Sequence, residues 1–394
     1  MKKKKIGLLP KLIIAIILGI ILGNILPLKG IRALVTFNGF FGQFLDFAIP
    51  LIIIGFVAPG IGDLGEGAGK ILATTAAIAY GSTVLAGTIA YFTGVNVLPM
   101  FLEGIDTTTL LSGGANVAEA FLEVEIPPIM GVMTALIMAF TLGIGMAVIK
   151  STAIKNVMNE FQEIISRMIS GIIIPLLPIY ILGMFANLTY SGQVASILSI
   201  FSKVFIMVIL LHILILLIQY TIAGSLAGAN PIKLLKNMIP AYFTAVGTQS
   251  SAASIPVTLA QTKKNGVNDS IAEFTIPLCA TIHLSGSTIT LVSCSLAIMM
   301  MNNMDYSFNS YLLFIMALGV TMVAAPGVPG GAVMAALGLL QSMLGFDQTL
   351  SSLMITLYLA QDSFGTACNI TGDGAIAILM NKISGYELTP DFDK

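Results

Sequence analysis

Charge is what this 394-residue sequence has least of: Asp, Glu, Lys and Arg together make up 9 % of it, and 56 % is hydrophobic. A soluble domain carries about a quarter charged residues, so the composition excludes one. The net charge of −1 leaves none of the basic surface that a nucleic-acid partner requires. Arginine is confined to Arg32 and Arg167, and histidine to His212 and His283. The three cysteines, Cys279, Cys294 and Cys368, lie in apolar stretches without metal-ligand spacing. They exclude a disulfide framework and a zinc site, and read as packing residues.

Long apolar sequence is abundant instead. A helix that crosses a bilayer takes about 20 residues, and the runs 12–28, 40–62, 71–94, 129–149, 168–190 and 194–225 supply such lengths. The lysines Lys2–Lys5 raise the question of a cleaved signal. Residues 12–28 are long for one, and Leu28-Lys29-Gly30 is no small-residue cleavage site, so the run reads as a first span. With the N-terminus in the cytoplasm, the cytoplasmic side collects 15 of the 18 Lys and Arg, from Lys2–Lys5 to Lys394. The outside keeps Lys29 and Arg32, and Lys203 falls within a span. The loop 98–128 has no basic residue. This asymmetry predicts a multi-pass protein of the cytoplasmic membrane with both termini inside.

After Gly228 the pattern changes. Two apolar segments are interrupted, each followed by a longer span. The first breaks at Thr248-Gln249-Ser250-Ser251 and on to Pro256, the second at Ala324-Ala325-Pro326-Gly327-Val328-Pro329-Gly330-Gly331. Arms of about 10–15 residues are too short to cross and suit re-entrant hairpins. Irregular backbone at membrane depth persists only where protein or a wet cavity satisfies it. Paired interruptions therefore point to a binding site; an ordinary proline kink is the plainer reading of either one alone.

The last span is the most polar. Asp362, Thr366, Asn369 and Asp373 recur at i, i+4, i+7 and i+11, which places them on one helical face. A carboxylate inside a membrane is costly unless it meets a cavity, a cation or a partner. With no arginine in this half of the chain, bound cations are the expected partners. Carboxylate, amide and freed carbonyl oxygens suit a hard ion such as sodium.

These residues resemble the dicarboxylate/amino-acid:cation symporters, the family of glutamate transporter homologues. Ser250-Ser251-Ala252-Ala253-Ser254-Ile255-Pro256 is similar to its first hairpin tip, and Gly327-Val328-Pro329-Gly330-Gly331 to its second. Pro277 through Ser287 is similar to its unwound seventh span. Asn369-Ile370-Thr371-Gly372-Asp373 keeps the Asn-x-x-Gly-Asp ending of its eighth.

The resemblance spans essentially the whole chain. It implies an all-α polytopic membrane protein with eight transmembrane helices, two re-entrant helical hairpins, inverted repeats and a homotrimer. Residues 10–70 and 127–192 would form mainly a scaffold, and 71–95 with 194–394 mainly a transport domain. The latter would hold hairpins at 231–265 and 310–345, a seventh span at 270–301 and an eighth at 350–383.

Carried over by position, the resemblance implies an amino-acid substrate with its carboxylate on Ser250, Ser251 and Asn369. Its amine would meet Asp362 beside Thr366, with Ser287 and Gly365 also lining the site, and Val328 and Gly330 closing over it. One co-transported sodium would lie on Asp373 and the carbonyls of Cys279, His283 and Asn369. A second would use the carbonyls of Thr281, Met322, Val323 and Ala325.

Two departures bear on substrate and ions. Where acidic-substrate members carry an arginine, this chain has Gly365, and the alternative hairpin position is Gln249. A second carboxylate would be unpaired there and penalised, so a small neutral amino acid fits, as in the bacterial serine/threonine branch. His283 and Ser285 replace the seventh-span Asn and Asp that a third sodium needs in sodium-coupled members, which leaves Ser82 and Thr83 as possible ligands. His283 then reads either as a proton-coupling group or as a structural imidazole; His212, in an Ile/Leu run, reads as structural. The alternatives are a cation- or proton-coupled carrier of a small carboxylate or acidic amino acid, a channel, and a membrane-embedded enzyme. An enzyme would need His283 with a hairpin serine, and the sequence displays no third orienting group.

Overall fold

The computed structural model describes residues 8–64, 69–102, 118–122, 124–150, 152–323, 325 and 329–389. Lys2–Lys5, Lys394 and Val328 lie outside the described residues. The first part of the chain forms α1 (Leu8–Ile25), α2 (Leu28–Leu64), α3 (Gly69–Leu102), α4 (Val132–Ile149), α5 (Thr152–Met168), α6 (Ile174–Tyr190) and α7 (Val194–Ala227). Eight further helices follow: α8 (Pro231–Asn237), α9 (Ile239–Thr248), α10 (Ser251–Lys264), α11 (Asp269–Ile282), α12 (Ser285–Met301), α13 (Phe308–Met322), α14 (Gly331–Leu344) and α15 (Gln348–Ile383). Among the described residues there is no strand.

Among the described residues, six helical stretches are long and apolar enough to cross a membrane: Leu28–Gly62, Lys70–Leu102, Val132–Ile149, Thr152–Tyr190, Val194–Ala227 and Asp269–Met301. The chain is thus an all-helical, multi-pass membrane protein.

Local chemistry sets the helix ends. Gly228, at φ 71°, closes α7. Asn230 then caps α8 by accepting the N–H groups of Ile232 and Lys233, with Pro231 at the first helical position. Asp347 caps α15 through the N–H of Leu350 at 2.8 Å.

Two helices start well ahead of the sequence expectation. The run expected at 40–62 is helical from Leu28, so Lys29 and Arg32 stand in the first turns of α2 rather than in a loop. The span expected to begin at 168 is helical from Thr152. Pro175 and Pro178 lie just beyond, and a proline displaces the carbonyl four residues back. The chain accommodates this with a π turn at Ile169–Ile173, where the Ile174 N–H reaches the Ile169 carbonyl.

The helices pack in two groups. In one, α1 lies on α6, and α2 packs on α4, α5 and α6. In the other, α12 packs on α3 and α15, while α15 also receives α7, α9, α10 and α11. All seventeen residues of α12 are buried. Gly286 lets α12 meet α15 backbone to backbone, since a Cβ there would lie 2.6 Å from the Gly365 carbonyl oxygen and from Cys368 Cβ.

The groups meet where α15 touches α1 and α6, and where α14 rests on α2 and α4. The α14 contact is of another kind. The three atoms nearest to a Cβ on Gly338 would be side-chain methyls, those of Val132, Ile53 and Ile49. Polar links between the groups run from Gln341 to Asp46 at 2.8 Å, from Gln348 to the Gly39 carbonyl, and between Tyr180 and Ser352.

Candidate functional site

Both interrupted segments are broken in the structure. Gln249 takes a left-handed conformation (φ 53°), and Ser250 is extended, its Oγ capping α10 through the Ala253 N–H at 3.3 Å. His283 and Leu284 separate α11 from α12 with non-helical backbone. The second interruption falls between α13 and α14, where Gly330 has φ 75°. These breaks converge on the polar face of α15.

Tyr358, Asp362, Thr366 and Asn369 of α15 line one small cavity with Gln249, Ser251, Ala280, Leu284, Ser287, Ala325 and Ala332. Its free volume is about 20 Å³, close to what one water occupies. An amino acid fits only if the walls separate. Asp362 accepts the Gly330 N–H at 2.7 Å, which ties α15 to the start of α14.

No side chain of its own caps α12, so its first N–H groups need partners from elsewhere. Asn369 provides them from α15: its Oδ1 accepts from Gly286 N at 2.8 Å and Ser287 N at 3.2 Å. The amide expected to face substrate is therefore half engaged in holding α12. Its Nδ2 donates to Ser287 Oγ at 2.9 Å, and Tyr358 donates to the same oxygen at 3.0 Å.

One turn further along α15, Asp373 is buried against an imidazole. His283 Nδ1 lies 2.9 Å from Asp373 Oδ1, and His283 Nε2 lies 3.1 Å from Ser82 Oγ. Gln219 of α7 bonds Ser82 at 2.9 Å and Ser285 at 3.2 Å. Asp373 thus has a protein partner, His283, where the sequence expectation put bound cations first. Its second oxygen, Oδ2, is buried without a hydrogen-bond partner among the described residues.

That free oxygen lies beside the C-terminus of α11, whose last carbonyls lack intrahelical donors. Cys279 O is an exception, since it accepts from His283 N at 2.9 Å. Carbonyl ends of helices carry partial negative charge, so the donor set fits a hard monovalent cation. Thr281 stands in the last turn of α11, and Met322, Val323 and Ala325 stand at the end of α13, where Ala325 N bonds the Met322 carbonyl at 3.3 Å. Among the described residues, no three His, Cys, Asp or Glu side chains come together as for a transition metal. All three cysteines are free and buried.

Of the expected substrate contacts, the structure gathers Ser251, Ser287, Asp362, Thr366 and Asn369 around the cavity, with Gly330 bonded to Asp362. Ser250 caps a helix instead of lining the cavity. Gly365 faces the backbone of Gly286 and Ser287, and a Cβ there would find ordinary contacts of 3.6–3.7 Å. Val328 is outside the described residues. His212 is buried, with Nε2 on the Gly286 carbonyl at 3.0 Å.

Sequence reasoning missed Tyr358 and Gln219. Tyr358 extends the polar stripe of α15 by one turn, and Gln219 follows His212 at i+7 on one face of α7. It also missed a third group beside His283: Ser82, His283 and Asp373 stand in serine–imidazole–carboxylate order. His283 and Asp373 are wholly buried and absent from the cavity lining, so no reacting carbonyl reaches them.

The profile of the sodium:dicarboxylate symporter family matches residues 8–383. The serine/threonine transporter SstT of Streptococcus suis is 26 % identical over 340 residues, covering 84 % of this chain and 94 % of that protein. The serine/threonine transporter SstT of Acinetobacter baumannii is 27 % identical over 394 residues, covering 94 % and 95 %. Excitatory amino acid transporter 1 of Ambystoma tigrinum is 27 % identical over 256 residues, covering 64 % of this chain and 46 % of that protein.

Proposed function

We propose, from the premise that this chain belongs to the sodium:dicarboxylate symporter family and is a transporter rather than an enzyme, that it moves a small neutral amino acid together with sodium. One observation carries the substrate class. Asp362 faces the cavity, and no lysine or arginine is among the described residues that line it. A lone buried carboxylate calls for a cationic group, which the α-amine supplies. A substrate with a second carboxylate would bring a charge that nothing there pairs. The names of the two bacterial relatives, serine/threonine transporters, agree with this reading.

The ammonium sits on Asp362 beside Thr366. The carboxylate lies toward Ser250, Ser251 and the N-terminus of α10, where the positive end of the helix favours an anion. Val328 and Gly330 close the outer side of the site. Sodium occupies Asp373 Oδ2 with carbonyls of Cys279, His283 and Asn369, and a second ion the carbonyls of Thr281, Met322, Val323 and Ala325. Cation binding at the breaks draws α11, α13 and α15 together, which couples the ions to cavity closure.

The α8–α10 segment and the α13–α14 segment act as re-entrant hairpins among eight spans built as inverted repeats. Residues 10–70 and 127–192 form the scaffold of a homotrimer, and 71–95 with 194–394 the moving unit of an alternating-access cycle. The separate packing of α1, α2 and α4–α6 supports that division. Both termini are cytoplasmic, in the cytoplasmic membrane.

Uptake of labelled serine into proteoliposomes tests the reading, with and without an inward sodium gradient. Sodium-driven uptake is expected, blocked by alanine and threonine and unaffected by aspartate or succinate. Block by aspartate or succinate, or uptake driven by a pH gradient alone, would reject it.

A further inference from the structure

Ser287 has an oxygen whose acceptor positions are both in use. Asn369 Oδ1 takes two backbone N–H groups, from Gly286 and Ser287. Backbone N–H groups only donate, which fixes the orientation of this amide and makes its Nδ2 the donor to Ser287 at 2.9 Å. From the other side the Tyr358 hydroxyl donates to the same oxygen at 3.0 Å. A serine hydroxyl has two lone pairs and one proton. With both lone pairs held, the proton has a single direction left to it, and no hydrogen bond among the described residues uses it. Ser287 is 2 % exposed and lines the cavity.

We infer that Tyr358 is a specificity determinant: by holding Ser287 as a donor-only group, it makes the cavity read a hydrogen-bond acceptor on the substrate side chain. The inference rests on the neutral amino-acid reading and narrows it to hydroxy amino acids. Three elements then meet three substrate groups. Asp362 on α15 takes the amine, the start of α10 takes the carboxylate, and Ser287 on α12 is left for the side chain. Serine or threonine accepts the Ser287 proton with its hydroxyl oxygen. Alanine leaves that proton unpaired in a closed site, which lowers its preference on the order of tenfold.

Tyr358→Phe removes the phenol oxygen and keeps the ring. The Ser287 hydroxyl then regains rotation and can turn to the backbone carbonyl one turn back, so alanine no longer strands a donor. The measurement is the serine-to-alanine ratio of kcat/KM for sodium-driven uptake, in wild type and variant. The wild-type ratio should be on the order of 10, falling toward 1 in Tyr358→Phe.

An unchanged ratio in the variant overturns the inference and leaves the neutral amino-acid reading standing. An equal loss for both substrates also overturns it, because it assigns the phenol to Asp362, which Tyr358 also faces. Failure of wild type to carry any neutral amino acid rejects the underlying reading before a variant is made. Should Tyr358→Phe not fold, Ser287→Ala gives the same test through thermal stabilisation of the purified protein by serine against alanine. A wild-type difference between the two ligands retained in Ser287→Ala would overturn the inference.

Discussion

Helices α4 and α12 have nearly the same length, 18 and 17 residues, and opposite surroundings. Only five of the eighteen α4 residues are buried, against all seventeen of α12. On α4 the buried stripe is Ala135, Leu136, Ala139, Gly143 and Met146, while Met133, Ile137, Ile144 and Val148 point outward. On α12 the interior holds six hydroxyls: Ser285, Ser287, Thr288, Thr290, Ser293 and Ser295. Lipid offers an apolar side chain as good a home as a protein core does. Large apolar residues therefore gain little by being inside, although many are buried there, and what sets the interior apart is polar groups that need partners. Buried hydroxyls, rather than a larger share of apolar residues, set α12 apart from α4.

Substitutions should separate the two helices' environments sharply. Asp362→Asn removes the carboxylate of the interior site, and serine uptake should fall about 100-fold with the protein still eluting as folded. Retained transport would mean that the polar face of α15 serves packing alone.

Gly286→Ala places a methyl 2.6 Å from a backbone carbonyl of α15 and should cost about 2 kcal/mol, read as a lower unfolding temperature in detergent. No change would show that the α12–α15 seam gives way as easily as a lipid-facing surface. Asp373→Asn should raise half-saturating sodium about tenfold; an unaltered sodium titration would remove the cation from this end of the stripe. Ile137→Ala, on a residue 64 % exposed, should stay within about 0.5 kcal/mol and leave uptake intact. A large loss there would mean that the outer face of α4 is covered by protein.

The same contrast explains what was legible in the sequence. Helices α3, α4 and α7 could be read from apolar runs, because their lipid-facing sides are unbroken. The breaks at Gln249–Ser250 and at Gly330 were legible because serine, glycine and proline have local backbone preferences. Helix α5 was not, since Lys155, Asn156, Glu160, Glu163 and Arg167 make it polar in composition although its helix is regular.

In the site, the stripe Asp362, Thr366, Asn369 and Asp373 followed from helical spacing alone. The pairing of His283 with Asp373 joins residues 90 apart, and Asn369 capping α12 joins residues 82 and 83 apart. No local pattern encodes such contacts. Gly365 was expected to line the substrate site, and only the structure shows that it also faces the α12 backbone.

The rest of α14 on α2 and α4 has a mechanical consequence. Gly338 meets the methyl ends of Val132, Ile53 and Ile49, and each polar link across the boundary uses at least one side chain. Dispersion forces of this kind sum over area and hold two bodies together, but each atom pair contributes only about 0.1–0.2 kcal/mol. Sliding exchanges one set of methyl neighbours for another, so the attraction is largely kept along the path. The few side-chain links act as catches that release one at a time. Such a joint is stiff against separation and soft against shear, as a bearing is.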